Sequence, residues 1–433
     1  IIWRANESGT NRKTFTTSLW FKRTELGVDQ EVWHGGRNGE TTVMGMITYS
    51  GFADQLWVDV GGGTGNTGTL YRSASTQKIR DTSAWYHVVL AVDTTQATEA
   101  NRMKVWLNGE EVTSWAQLQI PAQDFQCALE YGTDMAWGGF RPSNVTLFSG
   151  YLAECHYLDG VTAVQTDFGE YDEDSGIWKP KAYAGSYGNN GCYLNFDNSA
   201  SLGADSSGNS NTFTLNNIAA ADQATDTPTN SFCTLNPLYA MTYPLTISEG
   251  GTKSVASGAV AQWQSAKGSM AVNNGKWYWE TSNFTEMNTF IGLQSADLNG
   301  VYNGAYTLNV PLNDNNLYFS DPSNRSEGFT TTKATSDVWG LALNMDDGQL
   351  SVYRNGTLQN ATVSIDGLIG NGPYTPIISQ YASATNASTN FGGYNSGKAI
   401  SSAASDGNGY GTFEYAPPTG YYALCTKNLA EYG

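Results

Sequence analysis

Apolar and polar residues alternate with a period of two along much of the first half of the chain, which is the pattern of β-strands. In the stretch KTFTTSLWF, the residues Phe15, Leu19 and Phe21 mark one apolar face. The stretch AWYHVVLAVD, residues 84–93, is apolar on both faces, as expected for a central strand of a packed sandwich. We find no long stretch with the 3.6-residue period of a helix, so the pattern predicts an all-β chain.

A hairpin pattern occurs twice, once in each half of the chain. MKVWLNGEEV, residues 103–112, and LSVYRNGTLQ, residues 350–359, align through their Asn-Gly pairs. Asn-Gly supplies the positive φ angles that a two-residue type I′ turn requires. Each copy follows an apolar strand that begins near a tryptophan, Trp85 or Trp339. The repeat therefore predicts two sandwiches of similar strand order.

The composition and the apolar–polar pattern of the sequence change near the middle of the chain. Residues 217–236 are rich in Thr and Ala, contain Pro228, and show little alternation. We interpret this stretch as a connector between a first β-sandwich over residues 1–216 and a second over residues 237–433. Phe232 and Leu235 are expected to pack against a domain and not to remain in solvent.

The charge of the chain limits its partners. Lys and Arg total 22 and Asp and Glu total 40, which gives a formal net charge of −18. Nucleic-acid binding needs clustered basic residues, so neither that function nor binding to an anionic membrane surface is expected. The 13 Trp, 25 Tyr and 16 Phe residues can bury large areas and argue against a disordered chain.

The five cysteines are odd in number and form no C-x-x-C pair, so neither a disulfide framework nor a zinc site is expected. Free buried thiols, compatible with a reducing cytoplasm, are the simpler interpretation. No run of 18 apolar residues exists, and no transmembrane helix or signal peptide is visible in the sequence.

The first half resembles the laminin-G-like domains of the concanavalin A-like jelly-roll superfamily. The stretches FTTSLWFKR, WYHVVLAVD, MKVWLNGEEV and SGYLAECHYLDG carry the resemblance, in the order that the family shows. The second half resembles a SPRY domain through GKWYWE, FIGL, VWGLALNMDDGQLSVYRNG, NFGG and PPTGYYALCTKNL. Residues 167–217 and 225–238 look like a segment of structural proteins of tailed marine phages.

The combined resemblance implies two concanavalin-like jelly-roll sandwiches in tandem and a non-enzymatic virion protein assembled in the host cytoplasm. Such a tail fibre or capsid-surface knob is expected to bind a host-surface glycan or other virion proteins. The resemblance also implies a homo-oligomer, with a trimer expected. A capsid decoration protein and a polysaccharide depolymerase are the alternatives, and a secreted adhesin is a weaker one.

Glycan-binding surfaces present aromatic rings to sugars, and four aromatic residues are candidates for this role. Two lie in the repeated hairpins and two in the loop GVYNGAYTLN, and they are Trp106, Tyr302, Tyr306 and Tyr353. Packing of such rings against another domain or subunit is the alternative explanation.

Calcium is the metal that loops of lectin-like sandwiches favour, because it takes six to eight oxygen ligands from flexible segments. The stretch GADSSGNSN resembles loops of laminin-G-like proteins and offers three candidate ligands, Asp205, Asn209 and Asn211. A short turn stabilised by Asp and Asn side chains explains the same residues without a metal.

The candidates for catalysis are few. The histidines are His34, His87 and His156, and the position of His87 within an apolar strand favours a hydrogen-bonded core residue over a catalytic base. A retaining glycosidase needs two carboxylates about 5–5.5 Å apart on rigid strands. Glu170 and Asp172 in GEYDEDSG have a suitable spacing but lack flanking apolar strand residues, so a solvated acidic loop is expected.

Overall fold

The structure is a computed structural model, and it forms two compact units. Unit 1 spans Ile1–Gln223 and unit 2 spans Ala224–Gly433, so the boundary falls inside the predicted connector. The structure describes all residues except 6–10, 38–39, 47–51, 63–67, 130–133, 141–144, 240–241, 260, 286–288, 298–306, 312–315, 321–325, 329–333, 360–362, 367–369, 371, 382–384 and 397–398.

Unit 1 is built from short strands joined by turns. The strands are β1 (Ile2–Ala5), β2 (Thr14–Arg23), β3 (Gln30–Arg37), β4 (Glu40–Met46), β5 (Gln55–Gly61), β6 (Leu70–Lys78), β7 (Tyr86–Asp93), β8 (Met103–Leu107), β9 (Glu110–Glu111), β10 (Trp115–Gln117), β11 (Asp134–Trp137), β12 (Gly150–Asp159), β13 (Gly169–Tyr171), β14 (Trp178–Pro180), β15 (Cys192–Leu194) and β16 (Thr214–Leu215).

These strands form two antiparallel sheets that share one core. In the described residues, sheet A has the order β10-β6-β5-β4-β3-β11-β1-β16 and sheet B the order β15-β12-β2-β7-β8-β9, while β13 pairs with β14. Alternate residues of both sheets, such as Val58 of sheet A and Leu90 of sheet B, meet in one buried cluster. The remaining residues of each strand face outward, because successive side chains point to opposite faces of a sheet.

Unit 2 follows the same plan. Its strands are β17 (Thr246–Ser248), β18 (Lys253–Val255), β19 (Trp263–Lys267), β20 (Lys276–Ser282), β21 (Thr289–Ser295), β22 (Thr307–Pro311), β23 (Asn316–Ser320), β24 (Ser326–Gly328), β25 (Trp339–Asn344), β26 (Gln349–Arg354), β27 (Thr357–Leu358), β28 (Val363–Ser364), β29 (Tyr374–Tyr381), β30 (Asn386–Asn390) and β31 (Tyr422–Ala423).

Two sheets again enclose a core. Over the residues that the structure describes, sheet C has the order β17-β18-β30-β20-β25-β26-β27, with β28 paired to β26 and β31 to β20. Sheet D has the order β19-β29-β21-β22-β23-β24. Trp277 and Leu341 of sheet C and Ile378 of sheet D belong to the same buried cluster.

Helical structure is sparse in both units. The α-helix α1 (Thr426–Tyr432) lies at the end of the sequence, and short 3-10 turns span Glu99–Asn101, Gln165–Asp167, Ser199–Ser201 and Ala220–Asp222. Among the described helices, none has the length and apolar character needed to cross a bilayer. The prediction of an all-β chain is confirmed.

Much of the predicted connector is an integral part of unit 2. Phe232 and Leu235 are buried, and Cys233 N donates to Leu424 O (2.9 Å). Leu235 N donates to Gly251 O (2.7 Å), which fixes the segment against sheet C. The backbone hydrogen bonds explain why the segment packs although it shows no strand alternation.

Both predicted hairpin turns have the expected conformation. Asn108 and Gly109 have φ angles of 51° and 86°, and Asn355 and Gly356 have 48° and 75°. Each Asn side chain also joins its hairpin to the preceding strand region. Asn108 Oδ1 accepts from His87 N (2.8 Å), and Asn355 Oδ1 accepts from Val338 N (2.9 Å).

Candidate functional site

The outer face of sheet B is covered by a chain segment of its own unit. Residues 161–187, here called covering segment 1, follow β12 and lie over this face. Val89 and Trp106 of the sheet pack with Phe168 of the segment in a small second core. The face is therefore closed, and its side chains serve packing.

Trp178 attaches covering segment 1 to the sheet. Its indole Nε1 donates to His87 Nδ1 (2.9 Å), so His87 carries its proton on Nε2 and can donate it to Ser18 Oγ (2.8 Å). Burial lowers the pKa of His87 to about 3, with the nearby His156 as a smaller cause. A neutral histidine with both nitrogens engaged is a structural residue, as its place in an apolar strand predicts.

His156 has a similar role at the other end of covering segment 1. Its Nδ1 lies 2.9 Å from the hydroxyl of Tyr187, and its ring stacks on Tyr193 with a centroid distance of 4.2 Å. Burial lowers the pKa of His156 to about 3. Its neighbour Cys155 points into the core on the opposite face of β12, so the two do not form a nucleophile–base pair.

Unit 2 has an equivalent arrangement on the outer face of sheet C. Residues 404–421, here called covering segment 2, contribute Phe413, which packs with Tyr278 and Ala342 in a second core. The buried Glu280 carboxylate accepts hydrogen bonds from Tyr415 N (2.9 Å) and other donors of this segment and sheet. Burial raises the pKa of Glu280, and its oxygens hold the covering segment in place.

The predicted aromatic ligand-binding residues have three different outcomes. Trp106 is only 7% exposed, because covering segment 1 lies over its ring, so it is not an open platform for a sugar. Tyr353 is half-buried against the small core under covering segment 2, and burial raises its pKa. Tyr302 and Tyr306 lie outside the described residues.

The predicted calcium ligands form a network of internal hydrogen bonds. The Asp205 carboxylate accepts from Tyr193 N, Ser207 N and Oγ, and Asn211 N at 2.8–2.9 Å. Asn209 Nδ2 donates to Gly191 O (3.0 Å), and Asn211 Nδ2 donates to the same oxygen (2.9 Å). The motif ties the loop before β15 to the loop after it.

This network does not fit calcium as the residues stand. Calcium needs free oxygen ligands, whereas Asp205 already accepts four hydrogen bonds and both asparagines direct their amide nitrogens at the carbonyls. In the described part of the chain, no three His, Cys, Asp or Glu side chains cluster closely enough to hold a metal ion. The alternative of a turn stabilised by its own polar side chains accounts for the motif.

The candidate catalytic carboxylates are also engaged. Asp172 accepts from Ser175 N (3.0 Å) and pairs with Lys179 (2.9 Å), and the hydrogen bond from Lys179 is the main cause that lowers its pKa. Glu170 lies 3.8 Å from the same lysine. A carboxylate held in its charged form cannot act as a general acid near neutral pH.

A shallow cleft of about 210 Å³ lies on covering segment 1, between residues 162–167 and residues 181–185. The two charged side chains that line the cleft, Asp167 and Lys181, take part in hydrogen bonds with the backbone of the same segment. Asp167 Oδ2 accepts from Val164 N (2.9 Å), and Lys181 Nζ donates to Thr166 O (3.1 Å). Both groups that could recognise a charged ligand in this cleft therefore already hold the segment together.

A different group of residues stands out on the outer face of sheet A. Asp59 on β5 is paired directly with Arg72 on β6, and its neighbours Val58 and Val60 belong to the core, so Asp59 faces outward. Trp57 Nε1 donates to Asp59 Oδ1 (2.7 Å), and Arg72 Nε lies 3.6 Å from Asp59 Oδ2. The side chain of Arg72 is 39% exposed and forms the accessible edge of the group.

The carboxyl group of Asp59 is strongly influenced by its surroundings. Burial is the largest cause that raises its pKa to about 6, and the opposing effects of Arg72 and the Trp57 hydrogen bond are smaller. The charge of Glu31 contributes in the same direction as burial, which places Glu31 within electrostatic range. Perturbed carboxyl groups of this kind concentrate at functional sites.

Two further polar residues lie on this face, across β4 from Asp59. Two rows of residues run across β3, β4 and β5 in the strand register. The first row is Glu31, Gly45 and Trp57. The second row is His34, Val43 and Asp59. Glu31 Oε2 and His34 Nδ1 are 3.5 Å apart. The His34 ring meets the edge of Phe140 (4.8 Å between centroids), and the ring of Phe52 contacts Trp57 (5.7 Å between centroids).

Sequence reasoning did not single out this group. The available signal was a charged residue inside an apolar strand, in Leu56-Trp57-Val58-Asp59-Val60. Glu31 and His34 are three residues apart and would lie on opposite faces of a regular strand. The register shifts between Glu31 and Trp33, and this bulge brings both side chains to the same face.

Comparison with known proteins agrees with the fold of unit 1. Residues 4–163 match the laminin-G model of the concanavalin A-like lectin/glucanases superfamily. This match and the paired sheets of both units confirm the prediction of a concanavalin-like jelly-roll architecture. No curated protein matches the chain.

Solved SPRY domains are among the structures to which the chain is similar. The SPRY domain of human HERC1 is 17% identical, with 34% of this chain and 91% of that chain covered and a TM-score of 0.28. The PSpry domain of TRIM65 is 14% identical, with 36% of this chain and 91% of that chain covered and a TM-score of 0.30.

Proposed function

We propose that this chain is a non-enzymatic appendage protein of a tailed phage virion that binds a glycan on the host surface. Residues 4–163 match a superfamily of lectins and glucanases, which supports a function directed at carbohydrate. The phage assignment rests on the resemblance of residues 167–217 and 225–238 to phage structural proteins. In this proposal the protein is a tail fibre or capsid-surface knob, and it also contacts other virion proteins.

The observation that carries the proposal is the group formed by Trp57, Asp59 and Arg72. It combines a partly exposed guanidinium with a carboxyl group whose pKa is about 6. The Asp59 side chain is 8% exposed and is engaged by Trp57 and Arg72, so the guanidinium of Arg72 is the group of this set that can donate to a sugar oxygen. A few well-placed polar groups give a small-molecule site its specificity. The engagement of His87, His156 and Asp172 in structural contacts supports a binding role over a catalytic one.

Assembly in the host cytoplasm and homo-oligomerisation, with a trimer expected, belong to the same proposal. The five cysteines are all buried free thiols, which is compatible with folding in a reducing compartment. The net charge of −18 would keep such particles soluble and mutually repelling.

One observation favours polysaccharide cleavage as a second candidate function. A carboxyl group with a pKa of about 6 is protonated in part at neutral pH and is suited to act as a general acid. The depolymerase alternative would place this role on Asp59. The depolymerase alternative and the binding proposal predict different results, because a depolymerase releases soluble sugar from the surface that it binds.

The test is binding of the purified full chain to a glycan array and to whole cells, with the supernatant assayed for released reducing sugar. We expect binding without sugar release, and a loss of at least tenfold in Arg72→Ala. The exposed Asp124, which pairs with Lys13 at 2.7 Å, gives the control Asp124→Asn, which should bind like the wild type. Sugar release that Asp59→Asn abolishes would establish the depolymerase instead.

Binding to neither glycans nor cells would overturn the glycan-binding proposal. In that case, association of the chain with purified phage shells would support a capsid decoration protein.

A further inference from the structure

Three aromatic rings form a contiguous group on the outer face of sheet D. Trp263 lies on β19, Tyr381 on β29 and Phe290 on β21. The ring of Trp263 stacks on Phe290 with a centroid distance of 4.4 Å, and it lies 5.3 Å from the ring of Tyr381. Ala266 and Ile378, three positions away on the same two strands, belong to the core, so Trp263 and Tyr381 point away from the core.

Solvent reaches two of these rings. Tyr381 is 38% exposed and Trp263 is partly exposed, whereas Phe290 is 7% exposed. The other tryptophans of unit 2 are all described and are at most 2% exposed, and they are Trp277, Trp279 and Trp339. Among these described tryptophans, Trp263 is the one that an outside ligand can touch. Phe290 holds its indole in a fixed orientation, so little conformational freedom is lost when a ligand binds.

The strands that carry the group come from uncharged stretches of the sequence. Residues 254–266, 287–296 and 367–397 contain no Asp, Glu, Lys, Arg or His, although 14% of the chain is charged. Lys267 at the end of β19 is 3% exposed, and its Nζ donates to Ser295 O (2.7 Å). These stretches therefore offer no counter-ion to a charged ligand.

We infer that Trp263 and Tyr381 form a second sugar-binding site, on unit 2, which takes a neutral sugar ring. This inference rests on the proposed function, and it adds a site to the group of Trp57, Asp59 and Arg72 on unit 1. The C–H groups on one face of a pyranose carry partial positive charge and pack against the negative face of an aromatic ring. The net charge of −18 disfavours an acidic glycan.

Neutral hydrogen-bonding groups accompany the two accessible rings. Tyr381 carries a hydroxyl on its exposed ring, and the exposed Gln262 directly precedes Trp263. The hydroxyls of Ser265 and Ser379 on the same face are buried and lie 2.6 Å from each other, so they serve the fold. An aromatic surface with a few neutral polar groups at its rim has the composition of a site for a neutral sugar.

The binding test uses the full chain and neutral oligosaccharides that carry no carboxylate, sulfate or amino group. We expect Arg72→Ala to keep a residual affinity for these ligands, and Trp263→Ala in that background to lower it by at least tenfold. Tyr381→Ala should lower it in the same direction, and this more exposed position gives a result even if Trp263→Ala fails to fold. The control is Leu358→Ala on β27 of sheet C, which removes a side chain that is 47% exposed and should leave binding unchanged.

Fluorescence gives a direct readout at the site. The difference in acrylamide quenching between wild type and Trp263→Phe reports the accessibility of the Trp263 indole. We expect a saturating neutral oligosaccharide to lower the quenching constant of Trp263 at least twofold. A bound oligosaccharide that leaves this quenching constant unchanged would overturn the inference.

Two outcomes separate this inference from the proposed function. Equal residual binding with and without Trp263, together with weakened binding in Arg72→Ala, would overturn this inference and keep the proposed function. Absence of glycan binding by the wild type would overturn both.

A second copy of this chain is the competing occupant of the rings, and sedimentation of the free protein at several concentrations tests it. We expect Trp263→Ala to sediment like the wild type. Concentration-dependent association that Trp263→Ala abolishes would assign the rings to an interface between copies and overturn the sugar site.

Discussion

The indole of Trp178 lies directly on Gly109, so that a Cβ at this glycine would be 2.8 Å from the ring. The second copy of the hairpin repeats the relationship, because a Cβ at Gly356 would lie 2.6 Å from the ring of Tyr415. Trp178 belongs to covering segment 1 and Tyr415 to covering segment 2. The duplicated Asn-Gly hairpin is thus the place where each unit receives an aromatic ring of the segment that closes its sheet.

This relationship predicts that Gly109→Ala strongly destabilises the protein. The positive φ of 86° costs a residue with a side chain about 1–2 kcal/mol, and the collision with Trp178 adds about 1–3 kcal/mol. The measurement is urea unfolding of the full chain followed by circular dichroism. Gly176→Ala is the control, because Gly176 has a φ of 67° but no described atom within 4 Å of the position that its Cβ would take.

Equal losses in Gly109→Ala and Gly176→Ala would show that the Trp178 contact contributes nothing. The same comparison applies in unit 2, with Gly356→Ala against Gly420→Ala, because Gly420 has a φ of 81° and open space around it among the described residues.

The two buried histidines predict that unit 1 loses stability in acid. His87 and His156 each have a folded-state pKa of about 3, below the value of about 6.5 in an unfolded chain. As the pH falls below about 6.5, the unfolded chain binds protons that the folded chain does not. Each histidine then lowers the free energy of unfolding by about 1.4 kcal/mol per pH unit, down to about pH 3.

The variant His87→Gln isolates the contribution of His87 to the pH dependence of stability, because the carboxylates titrate alike in the wild type and the variant. Between about pH 7.5 and pH 5, the stability difference between wild type and variant should shift by about 2 kcal/mol in favour of the variant. A difference that stays constant over this range would mean that His87 titrates equally in the folded and unfolded states.

Because Trp106 is buried, we expect its substitution to lower the free energy of unfolding and not only to affect binding. Trp106→Ala removes an indole from the small core under covering segment 1, and such truncations cost roughly 3–5 kcal/mol. The measurement is the same urea unfolding. A change below about 0.5 kcal/mol would indicate an exposed ring and restore the sugar-platform hypothesis.

The hydrogen bonds of Asp205 predict a role that does not depend on calcium. Asp205→Asn replaces one acceptor oxygen by an NH₂ group that faces donors, so we expect a loss of about 2 kcal/mol. The melting temperature of the wild type should be the same in calcium chloride and in chelator. The control Asp174→Asn changes an exposed acidic loop residue and should have little effect. A rise in melting temperature with calcium that Asp205→Asn abolishes would identify a metal site.

The sequence by itself determined the strands and the turns of this protein, because both follow from local rules. Alternation with a period of two marks strands such as β2, and Asn-Gly is one of the few pairs that tolerate two successive positive φ angles. The concanavalin-like architecture was also readable, since Trp85, Asn108 and their apolar neighbours recur in a fixed order.

Only the tertiary structure decided which of these residues are accessible. Trp106 alternates outward from sheet B, but residues 161–187 return over that face and bury it. Asp205 has the spacing of a metal ligand, but its carboxylate accepts from Tyr193 N of strand β15 as well as from its own loop, and only the fold brings that strand to it. The bulge beside Glu31 places it on the same face as His34, against the simple alternation of a strand. Long-range contacts and register shifts of this kind leave no periodic signal in the sequence, and they define the candidate site.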